Sequence, residues 1–207
     1  MKRIQQKNIN SIEEYNRIFS ERADYSYSLF DFKRWKTILK YFRGGDLIDL
    51  GCFDSNLCQF AKEMYPNANV WGLDFADKVI DYMQKQFPAI KYIVGDVFNI
   101  PFKDETFNYV TAGELLEHLE HPEVFIKEAI RILKPGGILA LSTPLKETGV
   151  GEVDEKRHIW SISEQDVFDL CKSFGIVQMK VLRSERNPYK YHFPVICAFV
   201  QKFSKII

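Results

Sequence analysis

Several things are missing from this chain of 207 residues, and each absence removes a class of explanation. The four cysteines, Cys52, Cys58, Cys171 and Cys197, form no Cys-x-x-Cys pair and no zinc-type spacing, so reduced structural thiols are expected. Neither sign of charge is in excess: lysine plus arginine and aspartate plus glutamate each number 28, which leaves no net field favouring nucleic acid or an anionic membrane. No apolar run approaches the length of a bilayer span, and the polar residues 1–10 lack the apolar core of a signal peptide, so a soluble, cytoplasmic protein is expected. Internal repeats and low-complexity segments are absent. Missing, too, is the Gly-x-Gly-x-x-Gly turn that would bring a dinucleotide's phosphates against the backbone.

What is present is organised around residues 47–60. Leu47, Ile48 and Leu50 follow Gly44-Gly45 and read as a buried strand that breaks at Gly51. Asp54 or Ser55 is placed to cap the next helix, whose Leu57, Phe60, Ala61 and Met64 recur at helical spacing. Strand and helix then alternate: strands are expected at 70–75, 90–94, 107–112 and 138–142, with helices at 78–87 and from His121-Pro122-Glu123 onward. Lys134-Pro135-Gly136-Gly137 is expected to end that last helix. Ser161 and Glu164 suggest a capping box for a helix reaching about residue 173, and 177–183 and 195–201 read as an antiparallel hairpin. This rhythm implies one α/β domain over 1–207: a Rossmann-like, seven-stranded, mostly parallel sheet with helices on both faces and an antiparallel last strand.

The α/β core spans 47–207. Residues 1–46 add two helical stretches, 11–19 and 29–42, joined by a segment containing Tyr25 and Tyr27. Their aromatics, Tyr15, Phe19, Phe30, Trp35, Tyr41 and Phe42, either cover the site or pack on the sheet. The polar loop 144–160 is long enough to suggest a functional part.

Asp49 narrows the ligand. It is an acid within the first core strand, two residues before the glycine, where a pyrophosphate site would avoid negative charge, and it suits a cationic or amine-bearing ligand. Asp74 ends the second core strand about 20 residues beyond the turn, where an acid meets ribose hydroxyls in nucleotide-binding α/β folds. Asp96 ends the third. With Asp49-Leu50-Gly51-Cys52, Gly72-Leu73-Asp74, Gly95-Asp96-Val97, Glu114-Leu115-Leu116-Glu117-His118 and Leu133-Lys134-Pro135-Gly136-Gly137, the stretch 47–175 resembles class I S-adenosylmethionine-dependent methyltransferases. It is most similar to the branch that includes ubiquinone and menaquinone biosynthesis enzymes. Phe53 and Ser55 stand where the family's loop carries its second and third glycines.

The resemblance implies S-adenosyl-L-methionine as cofactor. It implies that Asp49 and the backbone of Gly51, Cys52 and Phe53 hold the methionine part, Asp74 the ribose, Phe75 and Val97 the adenine faces and Asp96 the adenine amino group. Glu114 and Leu115 would flank the sulfonium end. Methyl transfer then requires alignment of an acceptor and exclusion of water. His118 and His158 are the candidate catalytic bases where the acceptor must lose a proton. The expected acceptor is a small molecule, methylated on oxygen in preference to nitrogen, with nucleic acid and membrane not expected as partners and the oligomeric state open. Two alternatives stand beside this: a binding module without turnover, and metal-assisted RNA 2′-O-methylation through Glu114, Glu117, His118 and His158, a set similar to that of small-RNA methyltransferases. No metal is assigned on the sequence.

Overall fold

The computed structural model describes residues 1–5, 8–21, 29–145, 157–183 and 194–204. The chain begins with a short strand, β1 (Lys2–Arg3), and two helices, α1 (Ile12–Glu21) and α2 (Leu29–Ile38), the second tightening into a 3-10 turn at Leu39–Tyr41. The alternating core follows as β2 (Asp46–Leu50), α3 (Asn56–Met64), β3 (Asn69–Asp74), α4 (Asp77–Gln86) and β4 (Lys91–Val94). It continues with β5 (Phe107–Gly113), a 3-10 turn at Leu116–His118, α5 (Pro122–Arg131) and β6 (Leu133–Pro144). A short β7 (Trp160–Ser161), α6 (Glu164–Cys171), β8 (Gly175–Leu182) and β9 (Val195–Lys202) complete the described elements.

Seven strands pair in the order β4-β3-β2-β5-β6-β9-β8. The first five run parallel, whereas β9 is antiparallel to both neighbours, β6 and β8. From β2 the chain winds outward through β3 and β4, then returns to β5 on the opposite side of β2. That reversal opens a crevice beyond the carboxyl ends of β2 and β5, the place where open α/β sheets bind ligands. The alternation of side chains along a strand assigns the two core layers. Ile48, Leu73, Val110 and Leu139 face Phe125 and Ile126 of α5 and Val167 of α6. Leu47, Val70, Tyr109 and Ala140 face Trp35 and Ile38 of α2 and Leu57 and Ala61 of α3. By the same period Asp49 shares the face of Leu47 and points toward α3.

Local details differ from the sequence reading. Ser161 is engaged in β7, which pairs antiparallel with β1, so α6 starts later and its capping box is Ser163 with Asp166. Ser55 precedes α3 in a left-handed conformation (φ 62°) and makes no capping bond with its side chain; its hydroxyl meets that of Tyr92 instead. The Lys134-Pro135-Gly136-Gly137 segment lies inside β6 rather than ending the helix, because α5 stops at Arg131 and pairing with β5 begins at Leu133. The hairpin of β8 and β9 forms as expected. Tyr25, Tyr27 and most of the 144–160 loop lie outside the described residues. Among the described residues no helix is long and apolar enough to cross a membrane. All four cysteines are free and buried.

Candidate active site at the carboxyl edge of the sheet

Asp49 sits between Gly72 of β3 and Thr111 of β5 in register, 4% exposed. The Thr111 hydroxyl donates to its Oδ1 at 2.7 Å, and the Cys58 thiol lies 3.9 Å from Oδ2. Burial pushes the Asp49 carboxyl up to about 7, the Thr111 bond opposing, so this group is costly to ionise until a cation arrives beside it. Immediately beyond, Gly51 turns with φ 71°, and a Cβ there would lie 2.8 Å from Leu115 Cδ1. Glycine adopts that backbone without strain, and a side chain there would have to displace the tip of Leu115, so the loops after β2 and β5 touch at this point.

Asp74, at the end of β3 and 3% exposed, accepts the Phe53 amide at 3.0 Å on Oδ2 and the Ala76 amide at 2.9 Å on Oδ1. These bonds fix the carboxylate while each oxygen keeps a further lone pair for a ligand hydroxyl. Burial raises its pKa, opposed by the Ala76 and Phe53 amides. Phe53 adopts φ 36°, a region that side chains rarely occupy. Its half-buried ring packs with Val79 and Met83 of α4 and meets Tyr15 and Phe19 of α1 edge-on, with centroids at 5.7 and 6.1 Å. Phe75 meets the same Tyr15 at 5.3 Å. Val97 is buried. Asp96 is exposed, and its Oδ1 accepts the Phe98 amide at 2.8 Å within its own turn.

A second group of side chains follows β5. Glu114, itself left-handed at φ 54°, accepts the Ser142 hydroxyl at 2.9 Å and lies 3.4 Å from the Arg34 guanidinium of α2. Glu117 is 1% exposed, and its Oε2 accepts the Thr143 hydroxyl at 2.8 Å. Burial, then the nearby Glu114 charge, raises its pKa. Next to it, His118 Nδ1 lies 3.1 Å from the Arg157 carbonyl, which assigns the proton to Nδ1 and leaves Nε2 as the acceptor. Burial, reinforced by His158, pushes the His118 pKa down to about 3, so the ring is neutral. His158 is buried, its ring centroid 4.8 Å from that of His118.

The structure thus brings Asp49, Gly51, Cys52, Phe53, Asp74, Phe75, Glu114 and Leu115 to adjoining strand ends, with His118 and His158 against each other, and leaves Asp96 at the rim. Sequence reasoning did not identify Thr111, Thr143 or Arg34 as site residues. Their partners are set by strand register and by the docking of α2, which no local motif encodes. Tyr15 bridges both groups, its ring 6.4 Å from that of His118 and its hydroxyl 3.3 Å from Asn10 Oδ1. Asn10 in turn donates to the carbonyls of His118 and Arg157 at 3.2 and 2.9 Å.

The chemistry of these groups suits S-adenosylmethionine. A buried carboxyl awaiting a cation at Asp49, an oriented carboxylate at Asp74 and the glycine turn between them match an amino group and a ribose. Residues 48–141 match a family model described as a methyltransferase domain. Among curated relatives, the biotin biosynthesis bifunctional protein BioHC of Teredinibacter turnerae is 31% identical over 72% of this chain and 29% of that protein. The demethylmenaquinone methyltransferase of Lactobacillus johnsonii is 29% identical over 77% of this chain and 63% of its own length. The chain therefore spans less than two thirds of either relative. In fold it is similar to a Haemonchus contortus phosphoethanolamine N-methyltransferase solved with S-adenosylhomocysteine, with a TM-score of 0.66, 16% identity and coverage of 84% of this chain and 53% of that one. Sequence match, sheet order and strand-end acids together make the chain similar to class I S-adenosylmethionine-dependent methyltransferases, the ubiquinone/menaquinone-biosynthesis-like branch among them, with residues 48–141 matching a methyltransferase domain.

Proposed function

We propose that this protein transfers a methyl group from S-adenosylmethionine to a small-molecule acceptor, on oxygen in preference to nitrogen. The observation that carries the reading is the pair of buried carboxyls, Asp49 and Asp74, at the ends of adjacent strands on either side of the Gly51 turn. The cofactor supplies a methyl already bonded to a cationic leaving group. The protein's share is placement and exclusion of water. Asp49 draws the cofactor's amino group, Asp74 and the Phe53 amide set the ribose, and Leu115 against Gly51 bounds the methionine end. Phe75 and Val97 line the adenine, with Asp96 at its amino group. Tyr15, held between Phe53, Phe75 and His118, closes the region from the N-terminal side. His118 and His158 are the residues assigned to the acceptor's proton; with its pKa pushed down to about 3, His118 serves by accepting a hydrogen bond at Nε2, its Nδ1 being held by the Arg157 carbonyl, rather than by holding the proton.

Calorimetry with S-adenosylmethionine and S-adenosylhomocysteine tests the first step, and absence of binding to both would defeat the reading. One observation favours a second reading, a binding module without turnover: Phe53 and Ser55 occupy left-handed conformations where the family's loop has glycines. Cofactor binding with no methyl transfer to quinol, catechol or carboxylate acceptors would select it.

A further inference from the structure

We propose that Tyr92 is a positioning residue for the cofactor: its hydroxyl, bonded to that of Ser55, holds the turn after β2 in the left-handed form in which the Phe53 amide meets Asp74. This role rests on the methyl-transfer reading. Phe53 and Ser55 adopt φ 36° and 62°, a region that a Cβ disfavours, where the family's loop carries glycines. Such backbone persists only where its surroundings over-determine it. Here the turn is tied at both ends. The Ser55 amide donates to the Cys52 carbonyl at 2.7 Å and closes it, and the Phe53 amide donates to Asp74 Oδ2 at 3.0 Å. Ser55 is fully buried and its side chain makes no capping bond, so the contact with the Tyr92 hydroxyl anchors it.

Tyr92 reaches that turn from two strands away. It lies on the edge strand β4, in register with Gly72 of β3, and β3 separates it from β2. A Cβ at Gly72 would stand 2.9 Å from Tyr92 Cδ1, 3.0 Å from its Cε1 and 2.8 Å from Cys52 Sγ. The ring therefore crosses β3 over a glycine, and a side chain at 72 would push away both the ring and the Cys52 that opens the turn. The Tyr92 amide donates to Gln84 Oε1 of α4 at 3.1 Å, which anchors the edge position to the helix whose Val79 and Met83 pack with the Phe53 ring. A turn already in its binding form spares the cofactor the cost of ordering it, so the gain is read as affinity. Held in this way, the two left-handed residues serve the cofactor in place of the missing glycines.

The test is calorimetry of S-adenosylhomocysteine with the full chain and its variants, at a temperature where melting curves show each one folded. Tyr92→Phe keeps the ring over Gly72 and Ser55→Ala keeps the Cβ at 55; each loses the bond, and each is expected to raise Kd roughly three- to tenfold with the stoichiometry unchanged. Combining Tyr92→Phe with Ser55→Gly supplies a residue at ease in the left-handed region and should return Kd to within about twofold of the wild type. A merely structural role would lower the fraction of protein able to bind and leave Kd where it was. Without ligand, the Phe53 and Ser55 amides should exchange their hydrogens at least about fivefold faster in Tyr92→Phe. A folded Tyr92→Phe that matches the wild type in Kd, or in exchange, overturns this role alone, as does a Tyr92→Phe/Ser55→Gly protein that binds no better than Tyr92→Phe. A wild type that binds no S-adenosylhomocysteine defeats the methyl-transfer reading and, with it, the part of Tyr92 in cofactor binding.

Discussion

Replacing Asp49 by asparagine tests the electrostatic logic of the cleft directly. The carboxyl is raised from 3.8 to about 7 by burial, so its ionised form is disfavoured in the folded, ligand-free protein. A group raised on folding contributes stability that is complete below its unfolded pKa and is lost as pH climbs through the folded one. With about 1.36 kcal/mol per pH unit, ionising Asp49 costs the apoprotein roughly 4 kcal/mol at pH 8 and roughly 1.5 at pH 5. Asparagine keeps an oxygen to accept the Thr111 hydroxyl and carries no such cost. Urea unfolding should therefore show Asp49→Asn gaining on the wild type by roughly 2.5 kcal/mol between pH 5 and pH 8. Glu117, also raised by burial, contributes equally to both proteins and cancels in the difference. Cofactor binding should move oppositely. The variant loses a charge-assisted contact of about 1.5–3 kcal/mol, and wild-type affinity for S-adenosylmethionine should climb from pH 6 to 7 while the variant's stays flat. Parallel stability profiles, or equal affinity at pH 8, would refute the assignment.

Asp74→Ala should weaken S-adenosylhomocysteine binding by about 1–3 kcal/mol, because the Phe53 and Ala76 amides lose their acceptor along with the ribose, a loss read by calorimetry. His118→Ala should slow methyl transfer in single-turnover assays while leaving cofactor affinity within about twofold of the wild type. A thiol reagent should leave the folded protein unmodified and titrate four thiols after denaturation, since burial pushes Cys171 and Cys197 up to about 12 and Cys52 is likewise raised.

The alternation of strands and helices, the break at Gly51 and the strand-end acids Asp49 and Asp74 were all legible along the chain, because they arise from short-range patterns: apolar runs of strand length, turn residues between them and acids at fixed distances from a glycine. Caps were less legible. Whether Ser161 or Ser163 starts α6 depends on β1 having paired with β7, and Ser55 was drawn from its helix by Tyr92 across the sheet. Thr111 became a partner of Asp49 only when β5 settled beside β2, and Arg34 reached Glu114 only when α2 docked on the sheet. The spacing of Glu117 and His118 was visible in the sequence, yet the approach of His158 is a product of tertiary structure. Sequence by itself determined the elements and the class of ligand, through periodicity and local chemistry; tertiary structure alone decided which distant side chains share a buried space, because burial and strand register are properties of the assembled sheet.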